Sequence, residues 1–198
     1  MPKKSRLYSV LRIIAIPIMT VLLRLKFINK NHIPEQGAYI LACNHISNFD
    51  PIILGVGQKR QLKFMAKAEL FKNKLLGKFL LNLGAFPVDR GKHDTSSVRH
   101  FEEVLKEKQV MGIFIEGTCS HTGDFLQPKN GVSLIAYHTK TPVIPACITK
   151  KGFFWIVHFG EPISVEELGL INGGAKEFRT STKKIMDEIK KLREQDLS

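Results

Sequence analysis

A histidine and an aspartate with four residues between them, His45 and Asp50 in "NHISNFDP", are suited to moving a proton. An unperturbed imidazole titrates at about pH 6.5, and a neighbouring carboxylate can fix its tautomer and steady the imidazolium. A positioned imidazole of this kind can serve as a general base near neutral pH. On one continuous helix, a separation of five residues turns two side chains roughly 140° apart. Across a strand-to-helix turn they can converge. The plainer reading is that Asp50 caps a helix and His45 is a polar turn residue. The two roles can coexist, because a capping aspartate is already fixed and can hold a histidine.

The flanking residues supply such a turn. "AYILAC", residues 38–43, is short, apolar and preceded by Pro34 and Gly37, which reads as a buried strand. Asp50-Pro51 reads as a helix start, with Gly55 and Gly57 weakening its end. "LKFMAK" (62–67) reads as a strand, with helical material from Glu69. "GAFPVDRG" reads as a strand ending at Arg90, and "TSSVRHFEEVLKEK" as an amphipathic helix. "QVMGIFIEG" is then a strand, "GVSLIAYHTK" a short helix, and "TPVIPACIT" and "FFWIVHFG" two strands. A final helix spans about 175–193, with Phe178, Thr182, Ile185, Ile189 and Leu192 along one stripe. This alternation implies an α/β domain, a largely parallel sheet flanked by helices. In such sheets ligands bind beyond the carboxyl ends of the strands. His45, Arg90 and Glu116 each fall just after an expected strand.

The 198 residues suffice for one domain with its own core. With 43% hydrophobic and 24% charged residues, the composition is that of a globular chain. A formal charge of +12 and a pI near 9.7 favour anionic partners such as nucleic acid, anionic lipid or phosphorylated substrates. Three dispersed cysteines without a C-x-x-C argue against a zinc site or a disulfide framework. No basic recognition helix, RNA-binding aromatic signature or zinc finger is visible, so nucleic acid is not expected. A non-catalytic basic protein that binds membranes or nucleic acid is the alternative of another class.

The first residues run basic, apolar, basic: "MPKKSRLYSVLRIIAIPIMTVLLRLKF". The uncharged stretch 13–23 falls short of the ~20 apolar residues that span a bilayer. Pro17 would kink a helix there. Residues 1–32 are therefore expected to form a membrane-associated helix lying in one leaflet, ahead of an α/β domain over 33–198. Covering the core of that domain is the other use for such a helix. From Lys59 to Leu80, seven lysines and arginines stand against one acid, Glu69, interleaved with Phe64, Phe71 and Phe79. That mixture suits an anionic bilayer.

Four segments taken together, "NHISNFDP", "GAFPVDRG", "FIEGTCS" and "TPVIPA", resemble in order the four blocks of the glycerolipid acyltransferase family. The resemblance is closest to bacterial 1-acylglycerol-3-phosphate acyltransferases and runs from about residue 33 to 160. It implies transfer of a fatty acyl group from a thioester, on acyl carrier protein or coenzyme A, to the hydroxyl of lysophosphatidic acid. His45 would be the general base, oriented by Asp50. Arg90, with Lys67 nearby, would hold the acceptor's phosphate. Glu116, Gly117 and Thr118 would form the acceptor-binding turn. The resemblance implies no metal and no cofactor, and a peripheral or monotopic protein on the cytoplasmic face of the cell membrane. Two positions depart from the pattern. Ile115 replaces a proline, and Cys119 replaces an arginine beside the acceptor turn. Lys129, on the same long loop, is placed to restore part of that charge. The departure leaves another lysophospholipid, or an amino-acid lysolipid, as an alternative acceptor.

Overall fold

The computed structural model describes residues 14, 17, 18, 20–88, 95–120 and 122–198, with residues 95–97 described by backbone alone. Seven strands among them form one sheet: β1 (Leu25–Ile28), β2 (Tyr39–Cys43), β3 (Leu62–Lys67), β4 (Ala85–Val88), β5 (Val110–Phe114), β6 (Val143–Lys151) and β7 (Phe154–Phe159). Their order across the sheet is β1-β7-β6-β2-β5-β3-β4. Every pairing is parallel except the β6–β7 hairpin. Five α-helices with both ends among the described residues accompany them: α1 (Asp50–Gly57), α2 (Lys74–Leu83), α3 (Thr95–Lys106), α4 (Gly131–Thr139) and α5 (Ala175–Leu197).

Strand β2 shows why the sheet is a middle layer. All five of its residues are buried, and they alternate between two cores. Ile40 and Ala42 join Phe101 of α3, Ile135 of α4 and Ile185 and Ile189 of α5. Tyr39, Leu41 and Cys43 join Ile53, Leu54 and Val56 of α1. The period of two along a strand divides its side chains in this way, and burial on both faces makes the run continuously apolar.

The described residues correct the expected segmentation in three places. Leu25–Ile28, assigned to the N-terminal segment 1–32, is instead the edge strand β1, parallel to β7. Phe27 lies where a side chain on Gly57 would be, 2.9 Å from the ideal Cβ position, so the glycine that ends α1 admits β1. The helix expected from Glu69 is two elements, a 3-10 turn at Ala68–Phe71 and then α2. Asn73 causes the break, because its side chain accepts from the amides of Leu75 and Leu76 at 3.1 Å and caps α2. The last helix continues to Leu197. There Asp196, buried, accepts from Thr149 Oγ1 at 2.7 Å and pairs with His158 Nδ1 at 2.9 Å, tying α5 to β6 and β7.

Most of the N-terminal basic-apolar stretch lies outside the described residues. Among the described residues, no helix is long and apolar enough to cross a membrane. The expected strand end at Arg90 also lies outside them.

Candidate active site

Strands β2, β3, β4, β5 and β6 run in one direction, so their carboxyl ends share one edge of the sheet. His45 leaves β2 at that edge, Glu116 leaves β5, and Lys67 is the last residue of β3. Lys67 is exposed and stands in register with Val88, the last residue of β4. Arg90 lies outside the described residues.

His45 and Asp50 do converge. His45 Nδ1 is 2.9 Å from Asp50 Oδ2. The same oxygen accepts from the backbone N–H groups of Ile46 at 2.7 Å and Ser47 at 2.8 Å. An oxygen that takes two amide protons is acting as an acceptor, so the ring nitrogen facing it is the one bearing hydrogen. That leaves Nε2 with its lone pair. Asp50 is fully buried and the His45 side chain is 13% exposed, so the pair is shielded but reachable. Asp50 is not the helix N-cap. Phe49 holds that position without a side-chain hydrogen bond, and the Asp50 carboxylate folds the preceding turn instead.

Three further contacts fix the imidazole. Its ring stacks on Phe114, with centroids 4.0 Å apart and planes at 18°. Phe114 in turn stacks at 6.0 Å on Phe64. The carbonyl of His45 accepts from the amide of Ser120 at 2.7 Å, which joins the His45 turn to the loop after β5. Asn44, wholly buried, donates from Nδ2 to the Ile148 carbonyl at 3.0 Å and accepts from the Ile148 amide at 2.8 Å. This clamp pins the end of β2 to β6. Reading the sequence for acids and bases missed Asn44. Its signal was an amide residue directly after an apolar strand, in a place with no turn role for it.

The turn at Glu116-Gly117-Thr118 lies beside the pair. Glu116 is 2% exposed, and its Oε2 accepts from the Leu126 amide at 3.2 Å. Oε1 has no hydrogen-bond partner among the described residues. Burial pushes this carboxyl above its ordinary value of 4.5, opposed by the amides of Leu126 and His45 and by the nearby imidazole. Gly117 adopts φ +71°, and a Cβ there would meet the Lys129 side chain at 2.8 Å. Glycine thus lets Lys129 cross the turn. Thr118 is exposed. Burial also raises the Cys119 thiol, and Asp50 and Glu116 add to the shift, which places Cys119 in the field of the same acids. The structure therefore brings His45, Asp50, Glu116, Gly117 and Lys129 into one neighbourhood. Lys67 stands on the same edge, two strands away from β2.

A largely parallel sheet carries this histidine-aspartate pair at its carboxyl edge, and comparison with known proteins identifies the family. The acyltransferase family profile matches residues 24–149. The 1-acyl-sn-glycerol-3-phosphate acyltransferase of Bacillus subtilis is 38% identical over 148 residues, covering 70% of this chain and 73% of that protein. The enzyme of the same name from Streptococcus pneumoniae is 31% identical over 177 residues, covering 84% of this chain and 65% of the other. The chain belongs to the acyltransferase family. Its fold is also that of the crystal structure of the 1-acyl-sn-glycerophosphate acyltransferase from Thermotoga maritima. The TM-score is 0.71 at 23% identity, over 96% of this chain and 83% of that one.

Three variants probe this geometry. His45→Ala should reduce single-turnover acyl transfer by about 10²–10⁴-fold with the melting temperature little changed. Near-normal activity would remove His45 from the chemistry. Asn44→Ala leaves two buried backbone groups of Ile148 unpaired, at about 1–3 kcal/mol in urea unfolding. Activity should fall further than that destabilisation explains, because the end of β2 is released. Glu116→Gln tests the buried carboxyl. Folded Glu116 holds its proton more tightly than the unfolded chain does. Its contribution therefore favours the fold below the ordinary 4.5 and is lost as pH rises through the folded value. The melting-temperature difference, variant minus wild type, should be near zero at about pH 4 and positive at about pH 7. A difference that does not grow with pH would contradict the raised pKa.

Proposed function

We propose that this chain transfers a fatty acyl group from a thioester to the free hydroxyl of lysophosphatidic acid, giving phosphatidic acid. The observation that carries the proposal is the buried Asp50 carboxylate, which presents His45 Nδ1–H inward and leaves Nε2 to act on a substrate. In the reaction, Nε2 takes the acceptor's hydroxyl proton as its oxygen attacks the thioester carbonyl carbon. The C–S bond then breaks, and the imidazolium returns the proton to the departing thiolate. Asp50 steadies the positive ring between the two transfers. The chain needs no nucleophile of its own, since the acceptor brings the hydroxyl. The donor is acyl-CoA or acyl-acyl carrier protein, and the basic surface suits the anionic partner in either case.

Glu116 supports the acceptor's place. Its Oε2 accepts from the Leu126 amide at 3.2 Å, which holds the acceptor-binding turn beside His45. Lys129, crossing Gly117, brings a cation to the same turn. Arg90 and Lys67 are assigned to the acceptor's phosphate, and the enzyme would work at the cytoplasmic face of an anionic membrane. The names of the relatives, which include a 1-acyl-sn-glycerol-3-phosphate acyltransferase of Saccharomyces cerevisiae at 32% identity, support the same acceptor. Cys119 favours a second reading, another lysophospholipid or an amino-acid lysolipid. This residue carries no positive charge where the family resemblance calls for an arginine, and it sits near two acids.

A mass-spectrometric transfer assay with both donors and a panel of lysophospholipids separates the readings. Lysophosphatidic acid should lead the panel by kcat/KM, and preference for a zwitterionic acceptor would favour the second. Within the first reading, Arg90→Lys keeps the charge but loses the planar fork that meets phosphate through two hydrogen bonds. It should lower kcat/KM for lysophosphatidic acid about tenfold or more, since charged hydrogen bonds contribute about 1.5–3 kcal/mol. Cys119→Arg should recover part of that loss. Equal damage toward phosphate-bearing and zwitterionic acceptors would remove Arg90 from phosphate recognition.

A further inference from the structure

The β6–β7 hairpin turns through two residues, Gly152 and Phe153, between the register pair Lys151 and Phe154. Gly152 supplies the left-handed conformation such a turn needs, φ +59°. Phe153 is an unusual occupant of the second place, because it leaves an aromatic ring 82% exposed at the tip. Cations surround that tip. Arg24 lies 5.7 Å from the Phe153 ring centre and 5.8 Å from that of Phe154, and Lys26 lies 4.4 Å from Phe154. Lys150 and Lys151 are exposed on the hairpin itself.

The position of the tip follows from the sheet. β6 is parallel to β2, so the turn after β6 projects from the edge where His45 leaves β2. β1 is parallel to β7, so it begins at that edge too, beside Trp155. The residues ahead of it, Val21 and Leu22, are 75% and 74% exposed there. Apolar tips from two separate parts of the chain thus share an edge with the catalytic pair and are ringed by positive charge.

We propose that this tip is a bilayer anchor. Phe153 and Phe154 enter the acyl-chain boundary of an anionic phospholipid bilayer, and Arg24, Lys26, Lys150 and Lys151 hold the lipid phosphates around them. Exposed rings with a basic collar match a surface that is apolar within and anionic without. The anchor sets the His45 edge against the bilayer, so a lipid acceptor reaches the imidazole without crossing water. It rests on the reading that the acceptor is a membrane lipid.

The test uses the full-length protein, Phe153→Ser, and Lys150→Gln/Lys151→Gln. Flotation with vesicles of mixed phosphatidylglycerol and phosphatidylcholine is compared with pure phosphatidylcholine. Wild type should prefer the anionic vesicles, and each variant should bind them about tenfold less well at an unchanged melting temperature. Trp155, the chain's single tryptophan, reports directly. Its emission should shift to the blue on binding and be quenched by bromine-labelled acyl chains. Unchanged vesicle binding by Phe153→Ser, or no quenching of Trp155 in bound wild type, overturns the anchor. So does a Phe153→Ser variant that binds vesicles normally but loses an acidic acyl carrier protein, since the tip would then be a protein-docking surface. Transfer to a short-chain, water-soluble lysophosphatidic acid should persist in both variants. Vesicle binding is read without catalysis, so wild type that binds vesicles yet transfers to no acceptor contradicts the acyltransferase reading and not the anchor.

Discussion

One oxygen atom organises the site. Asp50 Oδ2 receives the His45 ring and the amides of Ile46 and Ser47 together. Those amides belong to a turn between β2 and α1 whose backbone donors would otherwise be unpaired near the protein interior, a cost of about 1–3 kcal/mol each. The carboxylate therefore closes the turn and selects the histidine tautomer in one arrangement. Folding and chemistry are coupled here, because Asp50 is buried only where the turn supplies its donors.

The neighbouring elements maintain that arrangement from three sides. Phe114 of β5 supports the ring face, Ser120 holds the His45 carbonyl, and Asn44 fastens the chain to β6 just before the histidine. Gly112 allows the aromatic support, since a Cβ there would lie 2.1 Å from Phe64, which stacks on Phe114. The second acid, Glu116, is kept apart in character. Its burial favours the neutral form and its Oε2 takes the Leu126 amide, whereas Asp50 Oδ2 takes the amides of Ile46 and Ser47. Two carboxyl groups on one sheet edge thus serve different ends.

The α/β alternation, the parallel sheet and the His45 turn were legible in the sequence, because each depends on short-range pattern: an apolar run, a glycine or proline boundary, a helix start. β3 could be read to the residue, since "LKFMAK" is bounded by polar residues on one side and a turn on the other. β1 was not legible. Four residues reading "LKFI" continue a basic-apolar run, and only their parallel pairing with the distant β7, with Phe27 seated against Gly57, marks them as sheet. The role of Asp50 was half legible. Its pairing with His45 follows from spacing across a turn, but its grip on the amides of Ile46 and Ser47 depends on backbone directions that side-chain pattern does not encode. Asn44 was hidden for the same reason, since its partner Ile148 is 104 residues away. The exposed Phe153 gained meaning only when sheet register put it on the His45 edge.

The central claim is that Asp50 holds His45 with hydrogen on Nδ1 and the lone pair on Nε2. Long-range ¹⁵N–¹H correlation spectra of ¹⁵N-histidine-labelled protein at about pH 8 read this directly, above the range where an ordinary imidazole titrates. The account predicts a pyrrole-like Nδ1 and a pyridine-like Nε2 for His45, with that preference lost in Asp50→Ala. A protonated Nε2 in the wild-type protein would contradict it, because the nitrogen offered to the substrate would then have no lone pair with which to accept a proton.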